Sequence, residues 1–65
     1  MRLDIEKTKI AMARKLWSTA DLAAAYGITR QRMTNILNSR NIMPRTAGKI
    51  AQALEVEVTE ILADK

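Results

Sequence analysis

The chain has 65 residues, 48% of them hydrophobic, and it contains neither cysteine nor histidine. A domain of this size buries only about 60% of the surface its unfolded form exposes. It has no disulfide to hold it and no ligands for a zinc site, so its stability rests on helix packing, with self-association as a supplement. The formal charge is +4. No apolar run approaches the roughly 20 residues of a membrane span, and the start MRLDIEK lacks a signal peptide's apolar core, which points to the cytoplasm.

Helical spacing of apolar residues runs almost throughout the chain, with β-branched alternation only at Val56 and Val58. The first helix is expected from about Asp4, its N-cap, to Leu16, with Ile10, Ala13 and Trp17 on its buried face. The second starts at Ser18, whose spacing to Asp21 fits a capping box, and buries Leu22, Ala23 and Tyr26. Gly27 stops it, because a left-handed residue at a helix end costs glycine least. Thr29 then caps a third helix that turns Met33, Ile36 and Leu37 inward. Its outer face carries residues 30, 31, 34, 35 and 38.

SRNIM is expected as a loop. Pro44 suits the first position of a fourth helix over about 44–54, whose stripe is Ala47, Ile50, Ala51 and Leu54. Gly48 inside that helix costs about 1 kcal/mol relative to Ala, which points to a close helix crossing. A short fifth helix is expected over about 58–63, with Ile61 and Leu62 inward. Trp17, Tyr26 and the four methionines are read as core. The whole chain, 1–65, is read as one all-α domain of five short helices.

Residues 18–38 therefore form a helix, a glycine turn and a second helix with a polar face, which is the layout of a helix-turn-helix. Its second helix carries side chains suited to the major groove of double-stranded DNA. Arginine bonds two acceptors of guanine at once, and glutamine or asparagine does the same for adenine. Arg30 and Gln31 lie at the end that meets base edges in this motif, Asn35 follows one turn on, and Thr34 offers a hydroxyl or a methyl.

Free N–H groups at the start of helix two favour an anion, with Thr19 placed to add a hydroxyl and Ser18 beside it. Asn38, Arg40 and Arg45 lie at the far end for further phosphates, and Arg32 joins this set. Such contacts set register rather than sequence preference. Charge supports the reading. Between Asp21 and Glu55 lie Arg30, Arg32, Arg40, Arg45 and Lys49 with no acid, and the tail then turns acidic at Glu55, Glu57, Glu60 and Asp64.

The same stretch resembles the lambda repressor/Cro-type, or XRE-like, helix-turn-helix family. The family pattern is met by Ser18, Leu22, Ala23, Tyr26, Gly27, Ile28 and Thr29, followed by RQRMTNIL, and it continues through PRTAGKIAQALEVEVTEIL. The resemblance implies a compact five-helix DNA-binding domain, with base contacts at Arg30, Gln31 and Asn35 and phosphate contacts at Thr19 and Asn38. It also implies a regulator, most simply a repressor of a phage, mobile element or small operon, acting as a homodimer on a near-palindromic operator. The chain departs from the family at Thr19, where many members have Gln. It departs again at Leu16, Ser39 and Glu55, where relatives often carry helix-ending Gly, and at Met43, where a capping Ser is expected.

The C-terminal Val56, Val58, Ile61 and Leu62 form the candidate dimer surface. The rival reading is a protein-interaction module, such as an antitoxin, that kept the fold while DNA binding became secondary or was lost. An enzyme is not expected. There are only two serines, and the carboxylates cluster toward the termini with no Gly-rich phosphate loop or metal-ligand spacing. No cofactor or metal is expected.

Overall fold

Each helix begins at a residue whose chemistry starts helices. The computed structural model describes residues 1–63; Asp64 and Lys65, and with them the last charge of the acidic tail, lie outside it. Asp4 accepts a hydrogen bond from the Lys7 N–H and opens α1 (Ile5–Arg14). Ser18 and Asp21 close a reciprocal capping box at the start of α2 (Thr19–Tyr26). Thr29 accepts from the Arg32 N–H and opens α3 (Arg30–Leu37). Pro44 is the first residue of α4 (Pro44–Leu54), which Met43 precedes without any side-chain cap.

Three of the four helices end on a left-handed residue: Gly27 at φ 98°, Leu16 at φ 60° and Glu55 at φ 59°. After α1, the Leu16 and Trp17 N–H groups return to the carbonyls of Ala13 and Met12, which satisfies the last turn. The same closure follows α4, where Glu55 and Val56 donate to Gln52 and Ala51. For non-glycine residues this backbone costs roughly 1–2 kcal/mol each. The α1 helix therefore stops at Arg14, short of the expected Leu16. Ser39 departs from expectation in the other direction, because its backbone is not left-handed.

The fifth helix is a single 3-10 turn, Val58–Glu60. Its extension to residue 63 is prevented by an antiparallel bridge between Leu3 and Leu62. The Asp4 N–H donates to the Ile61 carbonyl at 2.8 Å and the Ala63 N–H to the Arg2 carbonyl at 2.9 Å, so this backbone is extended rather than helical. Within the turn, the Glu57 N–H and Arg14 both bond the Glu60 carboxylate, in that order of effect, and hold its pKa below the usual carboxylate value.

Leu22, Met33, Ile50 and Ile61 are fully buried, together with Thr8. Thr8 corrects the expected inner face of α1. Its hydroxyl donates to the Asp4 carbonyl at 2.8 Å, so a polar residue enters the core with its hydrogen bond satisfied. The buried stripe runs through Thr8, Ala11 and Met12, which leaves Ile10 55% exposed, Ala13 exposed and Trp17 half-buried. Of the four methionines only Met12 and Met33 are core; Met1 and Met43 are exposed.

Gly48 also departs from expectation. It is exposed, and a Cβ built there would meet no atom within 4 Å, so no helix crosses closely at that point. Gly48→Ala is therefore expected to stabilise the fold by about 1 kcal/mol, chiefly by stiffening the unfolded chain. For a domain of this size the melting temperature should rise by about 4–8 °C, read by circular dichroism. An unchanged or lower melting temperature would contradict the open surface described here.

Candidate nucleic-acid interface

The recognition surface follows from how α3 is held. Its inner side is pinned by Met33, fully buried, with Ile36 and Leu37 half-buried against the core. Helical spacing then sets Gln31, Asn35 and Asn38 along the outer crest, with Arg30 and Thr34 to one side and Arg32 to the other. Arg30, Gln31, Arg32, Asn35 and Asn38 are exposed, and Thr34 is half-buried. Gly27 makes the turn between α2 and α3 through its left-handed backbone, with Thr29 capping the next helix two residues later.

Two crest residues are already organised. The Gln31 Nε2 donates to Asn35 Oδ1 at 3.3 Å, an i, i+4 pair that fixes two long polar side chains side by side. The amide groups left over, an acceptor on Gln31 and a donor on Asn35 among them, face outward for a base edge.

Grooves flank the helix on both sides. Toward α4 lies one of about 520 Å³, whose lining includes Tyr26, Arg32, Asn35, Met43 and Thr46. Toward α1 and α2 lies a smaller one of about 210 Å³, lined by Ile5, Lys9, Thr19, Thr34, Leu37 and Asn38. Thr19, Thr34 and Asn38, chosen from sequence on separate grounds, thus meet in one place. Ser18 is differently engaged. Its N–H and its hydroxyl both bond Asp21 Oδ2, at 2.8 and 3.1 Å, so the cap occupies the groups a phosphate contact would use.

The charges segregate. Arg14 pairs with Glu60 at 3.3 Å and Lys15 with Glu55 at 3.6 Å, so cations near the C-terminal acids are neutralised. Lys15 also lies over the Trp17 ring, and Lys49 over that of Tyr26 at 4.3 Å. Arg30, Arg32, Arg40 and Arg45 have no ion pair among the described residues. Among the described residues, the four cations expected to meet DNA are thus left without a protein anion.

On the candidate dimer surface, Ile61 is fully buried in the core and offers nothing to a partner. Val56, Val58 and Leu62 are half-buried against that core. Lys9 is the residue missed from sequence. It belongs to α1, and no local spacing relates position 9 to positions 34 or 38. Among the described residues no group of three or more His, Cys, Asp or Glu could hold a metal ion. No helix there is long and apolar enough to cross a membrane.

A capped helix pair joined by a glycine turn, with an exposed polar second helix and flanking arginines that have no ion pair among the described residues, defines a helix-turn-helix DNA-binding domain. The particular family follows from comparison. The Cro/C1-type HTH DNA-binding domain family matches residues 8–65, and the chain belongs to it. This is a family of DNA-binding domains in transcription regulation, not a family of enzymes.

Among solved structures, the chain is similar to a point mutant of hydroxyethylphosphonate dioxygenase and to native PhpD with cadmium atoms. Each is 28% identical over 98% of this chain, with a TM-score of 0.78. The chain spans only 14% of the length of either. Comparison with curated proteins gave no match.

Proposed function

We propose that the chain is a sequence-specific regulator of transcription, most simply a repressor, that inserts α3 into the major groove of double-stranded DNA. The observation that carries this reading is the exposed crest of α3, with its Gln31–Asn35 pair and flanking arginines that have no ion pair among the described residues. Arg30, Gln31, Thr34 and Asn35 read base edges. Thr19, Arg32, Asn38, Arg40 and Arg45 hold phosphates and set the register. Ser18 supports this set as the cap of α2 rather than by bonding a phosphate itself.

The domain acts in the cytoplasm, without cofactor or catalytic activity of its own. It pairs as a homodimer on a near-palindromic operator belonging to a phage, mobile element or small operon. Two-fold pairing sets recognition helices about 34 Å apart, one turn of DNA. With Ile61 inside the core, Val56, Val58 and Leu62 are the part of the C-terminal surface left for that contact.

A second reading is favoured by one finding: this fold recurs as 14% of two much longer chains, one of them a dioxygenase. In that reading the domain is a protein-interaction module, or an antitoxin, with DNA binding secondary or lost.

Selection from random duplexes at about 150 mM salt, where nonspecific binding is weak, separates the two. Enrichment of inverted half-sites with centres about 10 bp apart is the expected result. A single half-site would refute the dimer and leave the DNA reading in place. No enrichment, together with binding that ignores salt, would overturn the regulator reading in favour of the interaction module.

A further inference from the structure

We propose that Lys9, on α1, is a phosphate-binding residue, and that with Thr19 and Asn38 it seats one phosphate of the DNA strand in the groove that Thr34 of α3 also borders. The proposal rests on the DNA-binding reading above and extends the interface beyond the helix-turn-helix. It is carried by placement. The groove of about 210 Å³ is walled by Ile5 and Leu37, and its polar lining is one cation, two hydroxyl side chains and one amide, with no acid. That is the donor set an oxyanion requires, and it is assembled from three helices that the sequence does not bring together.

Charge singles out Lys9 among the α1 cations. Arg14 and the C-cap Lys15 are paired with Glu60 and Glu55, and Lys7 is also engaged, whereas Lys9 is exposed and makes no ion pair among the described residues. By helical spacing Arg14 lies on the opposite side of α1 from Lys9. The neighbouring groove, also bordered by Leu37 and Asn38, mixes charges, with Arg2, Asp4 and Glu6 in its lining, so the acid-free groove is the one that holds Lys9.

The test measures Kd against salt on the selected operator and on a random duplex, for the intact protein and for Lys9→Ala, Lys9→Arg and Arg14→Ala. One phosphate contact contributes about 0.9 to the slope of log K against log salt, or about fivefold in affinity at 150 mM. Lys9→Ala should lose that slope and that affinity equally on both duplexes, while Lys9→Arg and Arg14→Ala keep them. A neutral methylphosphonate scanned along each half-site should then weaken the intact protein at one position by more than it weakens Lys9→Ala. An unchanged slope in Lys9→Ala, or a methylphosphonate penalty equal in both proteins at every position, overturns the proposal while leaving the DNA reading standing. If the intact protein shows no salt-dependent DNA binding, the regulator reading fails and this proposal with it.

Discussion

Arg30→Ala is expected to weaken binding to the selected operator by about 1–3 kcal/mol, roughly 5- to 150-fold, and to relax preference at a single base position. The folded protein should be unharmed, because Arg30 is exposed at the first position of α3 and has no ion pair to lose. Its value lies in the fork of the guanidinium, which reaches two acceptors of one guanine. Arg30→Lys separates fork from charge. It should hold random duplexes as the unaltered protein does, yet lose most of the discrimination that Arg30→Ala loses. Arg40→Ala provides the contrast. Beyond the end of α3 its charge serves only the phosphates, so all duplexes should weaken alike and the salt slope should fall by about 1. Quantitative binding to the operator and to single-base variants reads all three. Equal losses on operator and random DNA for Arg30 and Arg40 alike would remove Arg30 from the base-reading set.

What could be read from sequence was whatever a few neighbouring residues decide among themselves. Ser18 with Asp21, Gly27, Thr29 and Pro44 each start or stop a helix by local bonding, and the structure places all of them in those roles. The outer face of α3 was legible for the same reason, since 3.6-residue spacing relates 31, 35 and 38 without outside information. The failures lie where burial and packing, rather than local spacing, decide. Thr8 enters the core because a backbone carbonyl one turn away satisfies it, and hydrophobicity alone favoured Ile10 in its place. The last helix shrank to a turn because Leu62 pairs with Leu3, at the far end of the chain. Gly48 looked like a crossing point, yet nothing packs there. Lys9 joined the interface only once α1 lay beside α3.

The same division between local and long-range terms sets the outcome at Met33. This side chain is fully buried on the inner side of α3, in one cluster with Leu22 of α2 and Ile50 of α4. Met33→Ala is expected to cost about 2–5 kcal/mol, combining lost burial with the cavity left behind. A single core in a chain this short rarely supplies more than about 3–5 kcal/mol. The variant should therefore be largely unfolded near 37 °C, with helical circular dichroism reduced and the transition broad or absent. Met33→Leu keeps the volume and should cost less than about 1.5 kcal/mol, which shows that the loss comes from packing. DNA offers an independent check, because whatever binds only the folded form stabilises it by mass action. Operator at 100 times its Kd adds about 2.7 kcal/mol, enough to restore much of the helical signal in Met33→Ala. Random duplex at the same concentration should restore far less. A Met33→Ala protein that melts like the original would show that α3 is not held by its inner face. Recovery of helix on both duplexes alike would show that the crest of α3 does not distinguish one sequence from another.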